Sequence, residues 1–360
     1  MGMISVTLPD GSVNEYTVGI TAGEIVIDIE GRKHDCVAAL VDGEERDFSS
    51  EITSDCAVEG ISAYSDAGMY ILRHSAAHLL AQAISELYPE AKPTIGPPID
   101  RGFYYDFADL QDFGADELKK VQKKMHELAR KNLPILRIEH SEAELSEMFA
   151  NNPYKIEIIK ERIDEGAGST IYSQGDWFDL CKGPHVHSTA KLMHVRLTSV
   201  SSAFWRGDQN RDKLTRIYGL VEPTKDALKA KMAAIEEAKK RDHRKLGKDL
   251  QLFHVDEDVG QGLILWTPRG ATIRTSLQNF ISEHLTRQGY QQVYTPHIGK
   301  LDLYRTSGHF PYYQDSQYPP LVEKEMMSRL AKEGCSCGEL SNMMASGDIE
   351  GYMLKPMNCP

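Results

Sequence analysis

The sequence has no long hydrophobic run. None of the apolar stretches among its 360 residues approaches the roughly 18 consecutive residues that a membrane-spanning helix needs. The first ten residues also lack the basic segment followed by an apolar one that marks a secretory signal. We therefore expect a cytoplasmic protein with no membrane partner.

Cysteine is scarce, and its spacing is irregular. A large cytosolic protein would keep these residues reduced, so a disulfide framework is not expected. The pair in Cys335-Ser-Cys337 is a weak metal signal, and a surface insertion over residues 321–352 is the simpler interpretation. The six cysteines are Cys36, Cys56, Cys181, Cys335, Cys337 and Cys359.

Positive charge is also in deficit, since 41 basic residues face 53 acidic ones and the net charge is −12. This balance argues against non-specific nucleic-acid binding over the whole surface. One local exception is the lysine- and arginine-rich stretch from Lys225 to Lys248. It is either the solvated face of a helix or an RNA contact.

Two residue pairs with the same spacing stand out against this background. His74 and His78 lie in an apolar run, residues 74–87, that predicts a helix, and residues four apart share a helix face. Cys181 and His185 repeat the spacing around a Gly-Pro turn. Either pair alone is most simply explained by capping or packing. Together they predict a metal site or a hydrolytic pocket. A metalloprotease is disfavoured because no glutamate follows His74.

The length of the chain predicts two or three domains. Residues 3–62 alternate like short strands around a Pro-Asp-Gly turn and predict a ubiquitin-like β-grasp. The second unit, from Gly68 to about Val221, contains an aromatic strand over 101–107 with Phe103 and Tyr105 on one face and Tyr104 and Asp106 on the other. Its predicted helices cover 116–131, 142–149 and 153–163, and short strands precede Cys181.

The remaining pattern predicts a connector and a third unit. Residues 224–247 predict one long helix that begins at Thr224 and stops at Gly247. Residues 270–289 predict an amphipathic helix with an apolar stripe, and 290–296 alternate like an edge or interface strand. The stripe comprises Ile273, Leu277, Phe280, Ile281 and Leu285.

In this order, the motifs resemble those of bacterial-type threonyl-tRNA synthetases over essentially the whole chain. Ile4-Ser-Val-Thr-Leu-Pro-Asp-Gly-Ser12 is similar to the opening of the family's TGS domain. The histidine pair with the Cys–His pair resembles its editing signature. Arg241-Asp-His-Arg-Lys-Leu-Gly-Lys248 resembles the junction into its catalytic domain, and Lys355-Pro-Met-Asn-Cys-Pro360 the segment with its first zinc ligand.

The resemblance implies an α+β multidomain fold. Its parts would be a β-grasp TGS domain (1–63), an α+β editing domain (64–222), a linker helix (223–248) and a partial class II catalytic domain with an antiparallel sheet (249–360). The helix and strand over 272–296 would be the first class II motif, with Pro296 as its proline at a homodimer interface.

The implied activity is ligation of threonine to tRNA(Thr) with ATP and Mg²⁺. Cys359 would be one ligand of a catalytic Zn²⁺ that takes the amino group and hydroxyl of threonine. The later class II motifs, two zinc ligands and the anticodon-binding domain have no counterpart in the sequence. We therefore expect an N-terminal piece of the enzyme, or an early-ending gene product, in which only editing is intact.

Editing is chemically required because serine also carries the hydroxyl, and a missing methyl is worth only about 1–3 kcal/mol. The resemblance implies that the pocket of His74, His78, Cys181 and His185 hydrolyses Ser-tRNA(Thr), with His74 or His185 assisting proton transfer. His78 and Cys181 would orient the seryl hydroxyl, and metal at this site is left unassigned. Lys155 and Asp179 would bind the terminal adenosine or stabilise charge, and Tyr104 would bind substrate.

Two other functions are compatible with the sequence. One is a free-standing hydrolase that edits mischarged tRNA in trans. The other is a non-catalytic RNA-binding regulator built on a TGS domain, which a large separation between His74 and Cys181 would favour.

Overall fold

The computed structural model describes residues 2–110, 113–164, 170–312, 317–332, 337–347 and 349–356. The chain divides into two compact units, residues 1–242 and 243–360. Helices and strands alternate throughout both units, which confirms the mixed α+β class. None of the helices in the described part of the chain combines the length and the hydropathy that crossing a membrane requires.

The first unit opens with a small module around one helix. β1 and β2 form the predicted antiparallel hairpin, and β1 also pairs in parallel with β7. The five-stranded sheet has the order β2-β1-β7-β4-β5, and α1 packs its buried face on β4 and β7. This is the predicted β-grasp arrangement. The elements are β1 (Met3–Thr7), β2 (Val13–Thr17), β3 (Ile20–Thr21), α1 (Ala22–Glu30), β4 (Cys36–Val41), β5 (Glu44–Arg46), β6 (Glu51–Ile52) and β7 (Cys56–Ser62).

The rest of the first unit is organised around the long helix α2 (Asp66–Leu87). This helix begins before His74, where the sequence run suggested its start, because the Ser65 side chain accepts a hydrogen bond from the Gly68 N–H and caps it. Residues 75–84 of α2 are all buried, and the core of the unit surrounds them. His78 is therefore carried into the interior, whereas His74, one turn earlier, is partly exposed.

Two sheets flank this helix. One has the order β14-β15-β10-β8, with β9 also paired to β10, and the other has the order β11-β12-β13. The remaining elements of the unit are β8 (Lys92–Pro93), β9 (Pro98–Ile99), β10 (Gly102–Ala108), α3 (Ala115–Arg130), β11 (Ile135–Glu139), α4 (Glu142–Met148), α5 (Pro153–Asp164), β12 (Thr170–Gln174), β13 (Trp177–Leu180), β14 (Val195–Phe204), β15 (Lys213–Val221) and α6 (Lys225–Lys240), with short 3-10 helices at Thr189–Leu192 and Trp205–Gly207.

The single helix predicted over 224–247 is wrong in one respect. Thr224 does cap α6, but this helix ends at Lys240, and a second helix, α7 (His243–Asp249), follows. Asp242 stands between them, and a short acidic side chain favours a new helix start over a helix interior. Gly247 does not end a helix, contrary to the prediction. It lies inside α7, where a Cβ would come 2.4 Å from the Phe253 ring, so glycine is needed for close packing.

The second unit contains two two-stranded antiparallel pairs among its described residues. The predicted helix over 270–289 is confirmed as α8, but its apolar stripe is exposed. The strand predicted over 290–296 is wrong: this stretch has no regular structure, and Tyr294 is 85% exposed. The elements are β16 (Phe253–Val255), β17 (Ile264–Trp266), α8 (Pro268–Arg287), β18 (Ile298–Lys300), α9 (Leu301–Thr306), α10 (Lys324–Lys332), α11 (Cys337–Ser346) and β19 (Tyr352–Leu354).

Candidate functional site

The two residue pairs meet in space. His74 and His78 reach from α2, and Cys181 and His185 come from the loop after β13. One ligand atom from each side chain lies within 4.8 Å of the other three. The Cys181 sulfur is 3.1 Å from Nε2 of His74 and 3.1 Å from Nε2 of His185. The four side chains form one cluster, which we call the His/Cys cluster.

A glycine lets the loop after β13 approach closely. Gly183 has a φ of 74°, and a Cβ there would lie 1.8 Å from the hydroxyl oxygen of Tyr172. No other residue type fits without moving the tyrosine. The tight turn folds Cys181 and His185 back onto the same side of the loop, against α2.

His185 is held from both sides. Its ring Nδ1 lies 3.0 Å from Ser75 Oγ, and the Ser75 hydroxyl donates to the Ile71 carbonyl at 2.8 Å. A hydroxyl has one hydrogen, so we assign the proton of the His185 ring to Nδ1, which donates to Ser75. The Nε2 lone pair then faces the sulfur of Cys181.

The His185 backbone is anchored by the β-grasp module. Its N–H donates to Asp47 Oδ1 at 2.7 Å, and Tyr172 Oη donates to Asp47 Oδ2 at 2.6 Å. Burial raises the pKa of Asp47, and these two hydrogen bonds act in the opposite direction. No sequence pattern predicted this contact, because Asp47 is one of many acidic residues and lies far from His185 in the chain.

Burial keeps the cluster uncharged at neutral pH. It lowers the pKa of His74 to about 4 and that of His78 to about 3, while the nearby Asp179 carboxylate acts in the opposite direction. Burial also lowers the pKa of His185 well below its usual range and raises the pKa of the Cys181 thiol to about 12. The cluster therefore presents imidazole lone pairs and one thiol hydrogen rather than charges.

The donor set of the cluster fits a metal ion. Three imidazoles and one thiol are the nitrogen and sulfur ligands that Zn²⁺ prefers, and four of them complete its usual tetrahedron. The hydrogen bond from His185 to Ser75 is the kind of second contact that orients a ligating histidine. A metal held by all four residues would have no open position for water, which is the pattern of a structural rather than a catalytic site.

A buried network adjoins the cluster. Lys155 Nζ lies 2.5 Å from Asp179 Oδ1, and Tyr105 Oη donates to Asp179 Oδ2 at 2.5 Å. Lys155 also donates to Tyr105 Oη at 3.0 Å. Burial by itself would raise the pKa of Asp179, but the ammonium of Lys155 and the two hydrogen bonds lower it. The charges of Lys155 and Asp179 are thus paired inside the protein, and Nδ1 of His78 lies 3.8 Å from Oδ2 of Asp179.

Tyr105, rather than Tyr104, faces this network. Tyr104 lies on the other face of β10, where the Arg216 guanidinium stacks 3.9 Å from its ring centre, and Arg216 also pairs with Asp106. The predicted alternation of the strand is therefore confirmed. This alternation is the sequence signal that could have identified Tyr105. Tyr105 shares the buried face with Phe103, and a buried tyrosine hydroxyl needs a hydrogen-bond partner.

The cluster opens into a cavity of about 580 Å³. His74, His78 and Cys181 line it, together with Tyr105, Lys155 and Asp179. His185 lies behind them and is not among the described residues that line the cavity. A ligand in the cavity would thus contact polar side chains of α2 and β13. His185 does not line the cavity and contacts the sulfur of Cys181.

Three sequence predictions are not addressed by these contacts. Cys359 and Cys335 lie outside the described residues, and so does the side chain of Cys337. The basic stretch over 225–248 is carried by α6 and α7, and α6 has no buried residue. An RNA contact there stays a prediction.

Two domain families match the sequence. The TGS domain matches residues 4–61, which is the β-grasp module. A family described as the threonyl and alanyl tRNA synthetase second additional domain matches residues 169–218, which include Cys181 and His185. The segment that supplies Cys181 and His185 is thus similar to a domain of threonyl and alanyl tRNA synthetases.

The chain is also similar to curated proteins of one kind, the threonine–tRNA ligases. The chain is 43% identical over 365 residues to a threonine–tRNA ligase of Pelodictyon phaeoclathratiforme, covering 100% of this chain and 52% of that protein. It is 43% identical over 362 residues to those of Chlorobium phaeovibrioides and Chloroherpeton thalassium, covering 99% of this chain and 51% and 52% of those proteins. The predicted resemblance is confirmed: over its whole length the chain is similar to one half of a bacterial-type threonyl-tRNA synthetase. It spans about half the length of these relatives.

Proposed function

We propose that residues 64–222 form an editing domain that hydrolyses Ser-tRNA(Thr) in the cavity beside the His/Cys cluster. The observation that carries this proposal is the convergence of His74, His78, Cys181 and His185 within 4.8 Å at the wall of a cavity large enough for an aminoacylated ribose. The match of residues 169–218 to a domain of threonyl and alanyl tRNA synthetases supports it.

In this mechanism His74 is the group that accepts a proton from the attacking water. Its ring is partly exposed and lines the cavity, whereas His185 lies behind. Burial keeps His74 unprotonated at neutral pH, so its lone pair is free to accept the proton. The water attacks the ester carbonyl, His74 passes the accepted proton to the ribose oxygen as the ester bond breaks, and serine and tRNA leave.

The other groups orient the ester. The Cys181 thiol stays protonated, so it can donate to a hydroxyl or carbonyl oxygen of the seryl group, and His78 can accept from the seryl hydroxyl. Lys155 is the one ammonium in the buried network and would stabilise negative charge that develops on the ester oxygen. Asp179 and Tyr105 hold it in place.

A metal ion is compatible with the cluster but is not required by this mechanism. If Zn²⁺ binds, His74, His78, Cys181 and His185 would hold it, and with all four positions occupied it would stabilise the cluster rather than polarise a bound oxygen. Metal analysis of purified protein, with hydrolysis measured before and after chelation, distinguishes the two forms. We expect hydrolysis to survive chelation.

The experiment that tests the editing proposal is deacylation of Ser-tRNA(Thr) and Thr-tRNA(Thr) by the chain, beside a His74→Ala, His78→Ala double variant. We expect the wild type to cleave the seryl ester selectively and the double variant to be inactive. His140→Ala is the matched control, because His140 lies outside the cavity. Equal cleavage of both esters, or full activity of the double variant with a native melting curve, would refute the proposal.

We propose further that the whole protein is a threonine–tRNA ligase of class II, acting on threonine, ATP and tRNA(Thr) with Mg²⁺ and a catalytic Zn²⁺ that Cys359 helps to bind. The names of the relatives support this. Threonine-dependent exchange between ATP and pyrophosphate checks it, and exchange with a different amino acid would contradict it.

A homodimer is part of the same proposal. The apolar side chains of α8 support it, since Leu277 is 61%, Phe280 57% and Ile281 54% exposed. Such an exposed stripe is typical of an interaction surface. Sedimentation of the wild type against Leu277→Glu measures the assembly, and an unchanged mass for both would contradict this assignment.

A further inference from the structure

Two cations at the cavity wall have no counter-charge among the residues that the structure describes. Lys155 is paired with Asp179, and Arg206, which also lines the cavity, is paired with Glu157 and Glu161. Arg162 and Lys182 line the same cavity, and neither forms an ion pair with any residue that the structure describes. In a chain with a net charge of −12, an uncompensated positive pair at a cavity indicates an anionic ligand.

The environment of Arg162 also supports an anionic ligand. Its Nη1 atom is shielded from solvent and has no hydrogen-bond partner in the described part of the chain. Buried polar atoms are paired in most proteins, and an unpaired one that belongs to a charged group is costly. A guanidinium presents its hydrogens in a planar fork that matches two oxygens of a phosphate. The site is thus complete only when an anion of that kind enters the cavity.

The terminal nucleotide of the substrate of the proposed editing reaction carries its negative charge in one place. The ester, the ribose and the adenine of a 3′-aminoacylated tRNA end are without negative charge, and the phosphodiester on the 5′ side of the terminal adenosine is anionic. This phosphodiester belongs to the same nucleotide as the ester, and Arg162 and Lys182 line the same cavity as His74, His78 and Cys181. Lys182 directly follows Cys181 and is exposed, so its side chain is accessible.

We propose that Arg162 and Lys182 form a phosphate subsite that binds the phosphodiester 5′ to the terminal adenosine of the aminoacylated tRNA. This inference rests on the proposed editing function. In it, Arg162 and Lys182 are positioning residues: they fix the nucleotide so that its ester reaches the cluster, and they take no part in bond breaking.

The test compares substrates with and without the phosphate. Ser-tRNA(Thr) and 3′-O-seryl-adenosine are hydrolysed by the wild type, by Arg162→Gln and by Lys182→Gln. Lys160→Gln is the control, because Lys160 lies on the same helix as Arg162 but is exposed and does not line the cavity. We expect each subsite variant to lose about tenfold in kcat/KM on the tRNA, with a salt slope smaller by about 1, and to be unchanged on seryl-adenosine.

Three outcomes overturn the inference. Equal losses on both substrates would mean that Arg162 acts on folding or on the chemistry. No loss on the tRNA would mean that the phosphate lies elsewhere. If inorganic phosphate competes with seryl-adenosine through Arg162 while Ser-tRNA(Thr) cleavage is unaffected by the variant, the subsite takes free phosphate instead.

Failure of the editing function itself is distinguishable. If the wild type cleaves neither ester, editing is refuted, and binding of cytidylyl-(3′,5′)-adenosine against adenosine, followed by NMR, still tests the subsite. We expect the dinucleotide to bind more tightly than adenosine to the wild type but not to Arg162→Gln. Equal binding of both ligands to the wild type would refute the subsite as well.

Discussion

At the scale of single residues, the site combines a neutral cluster with a buried ion pair. The His/Cys cluster is kept neutral by burial, whereas Asp179 is paired with Lys155, whose charge helps to lower the pKa of the carboxyl. The hydroxyl of Tyr105 touches both members of this pair. The Tyr105 hydroxyl therefore helps to position the Lys155 ammonium at the cavity.

Replacing Tyr105 with phenylalanine should therefore impair hydrolysis. The change removes two hydrogen bonds to charged groups, each worth about 1.5–3 kcal/mol, so we expect kcat for Ser-tRNA(Thr) to fall by about 10- to 100-fold. Tyr104→Phe is the matched control on the opposite face of the same strand and should retain full activity. Deacylation kinetics of the two variants measure the difference, and a larger loss in Tyr104→Phe would contradict this assignment.

A second residue-scale prediction concerns acid. His187 stacks on Phe48 of the β-grasp module at a ring separation of 5.4 Å, and burial, with the charge of Lys191, lowers the pKa of His187 from 6.5 to about 4. Between pH 6.5 and about 4 the unfolded chain binds a proton that the folded chain does not, so stability is lost as pH falls through this range. The shift corresponds to about 3 kcal/mol at most, which partial exposure of the ring reduces to about 1–2 kcal/mol.

The measurement is chemical denaturation at several pH values, with His187→Phe for comparison. Phenylalanine keeps the stacking and removes the titration. We expect the free energy of unfolding of the wild type to fall more steeply than that of the variant between pH 6.5 and about 4. Parallel curves would show that His187 is protonated at little cost.

At the scale of elements, one side chain of the β-grasp module reaches the residues of the site. The loop between β5 and β6 delivers Asp47 to the His185 N–H and the Tyr172 hydroxyl. Both donors are buried, so their only alternative to Asp47 is to remain unpaired. The position of His185, and through it that of Cys181, is thus set partly by a module that contributes no residue to the cavity.

Replacing Asp47 with alanine should cost stability and activity together. Two buried donors would lose their acceptor, and the removal of a desolvated charge offsets part of this, so we expect a loss of about 2 kcal/mol. Hydrolysis of Ser-tRNA(Thr) should fall because the His185 loop is released. Thermal melting and deacylation check this, with Glu44→Ala on the same module as an exposed control. Native activity of Asp47→Ala would show that the loop holds its shape without the carboxylate.

At the scale of the whole molecule, every residue that lines the cavity belongs to the first of two compact units, residues 1–242. The break between α6 and α7 coincides with the boundary between the units. Compact units with their own cores commonly fold alone.

A fragment of residues 1–242 should therefore fold and hydrolyse Ser-tRNA(Thr) at a rate close to that of the whole chain. Circular-dichroism melting and deacylation measure this. A second fragment, residues 1–222, lacks α6, and weaker tRNA binding by it alone would assign an RNA contact to the basic helix. A 1–242 fragment that is unfolded, or folded without activity, would contradict the prediction.

The sequence by itself determined the parts whose signal is local. The hairpin of β1 and β2, the helix α4 and the alternation along β10 all follow from side-chain period and turn chemistry between near neighbours. The repeated four-residue spacing also predicted that the residues of the His/Cys cluster form one site, because spacing determines which side chains share a face. For Tyr105, the alternation held the information, but choosing it over Tyr104 required knowing which face was buried.

Only the tertiary structure decided the rest. No periodicity in the sequence relates Asp47 to His185 or Gly247 to Phe253, so neither contact could be predicted. Nη1 of Arg162 has no hydrogen-bond partner among the described residues, and this depends on what packs around it in the folded chain. Burial, which sets the pKa values of the cluster, belongs to the assembled core and not to any segment. Local preferences are properties of near neighbours in the chain, whereas the cost of an unpaired charge depends on everything packed around it.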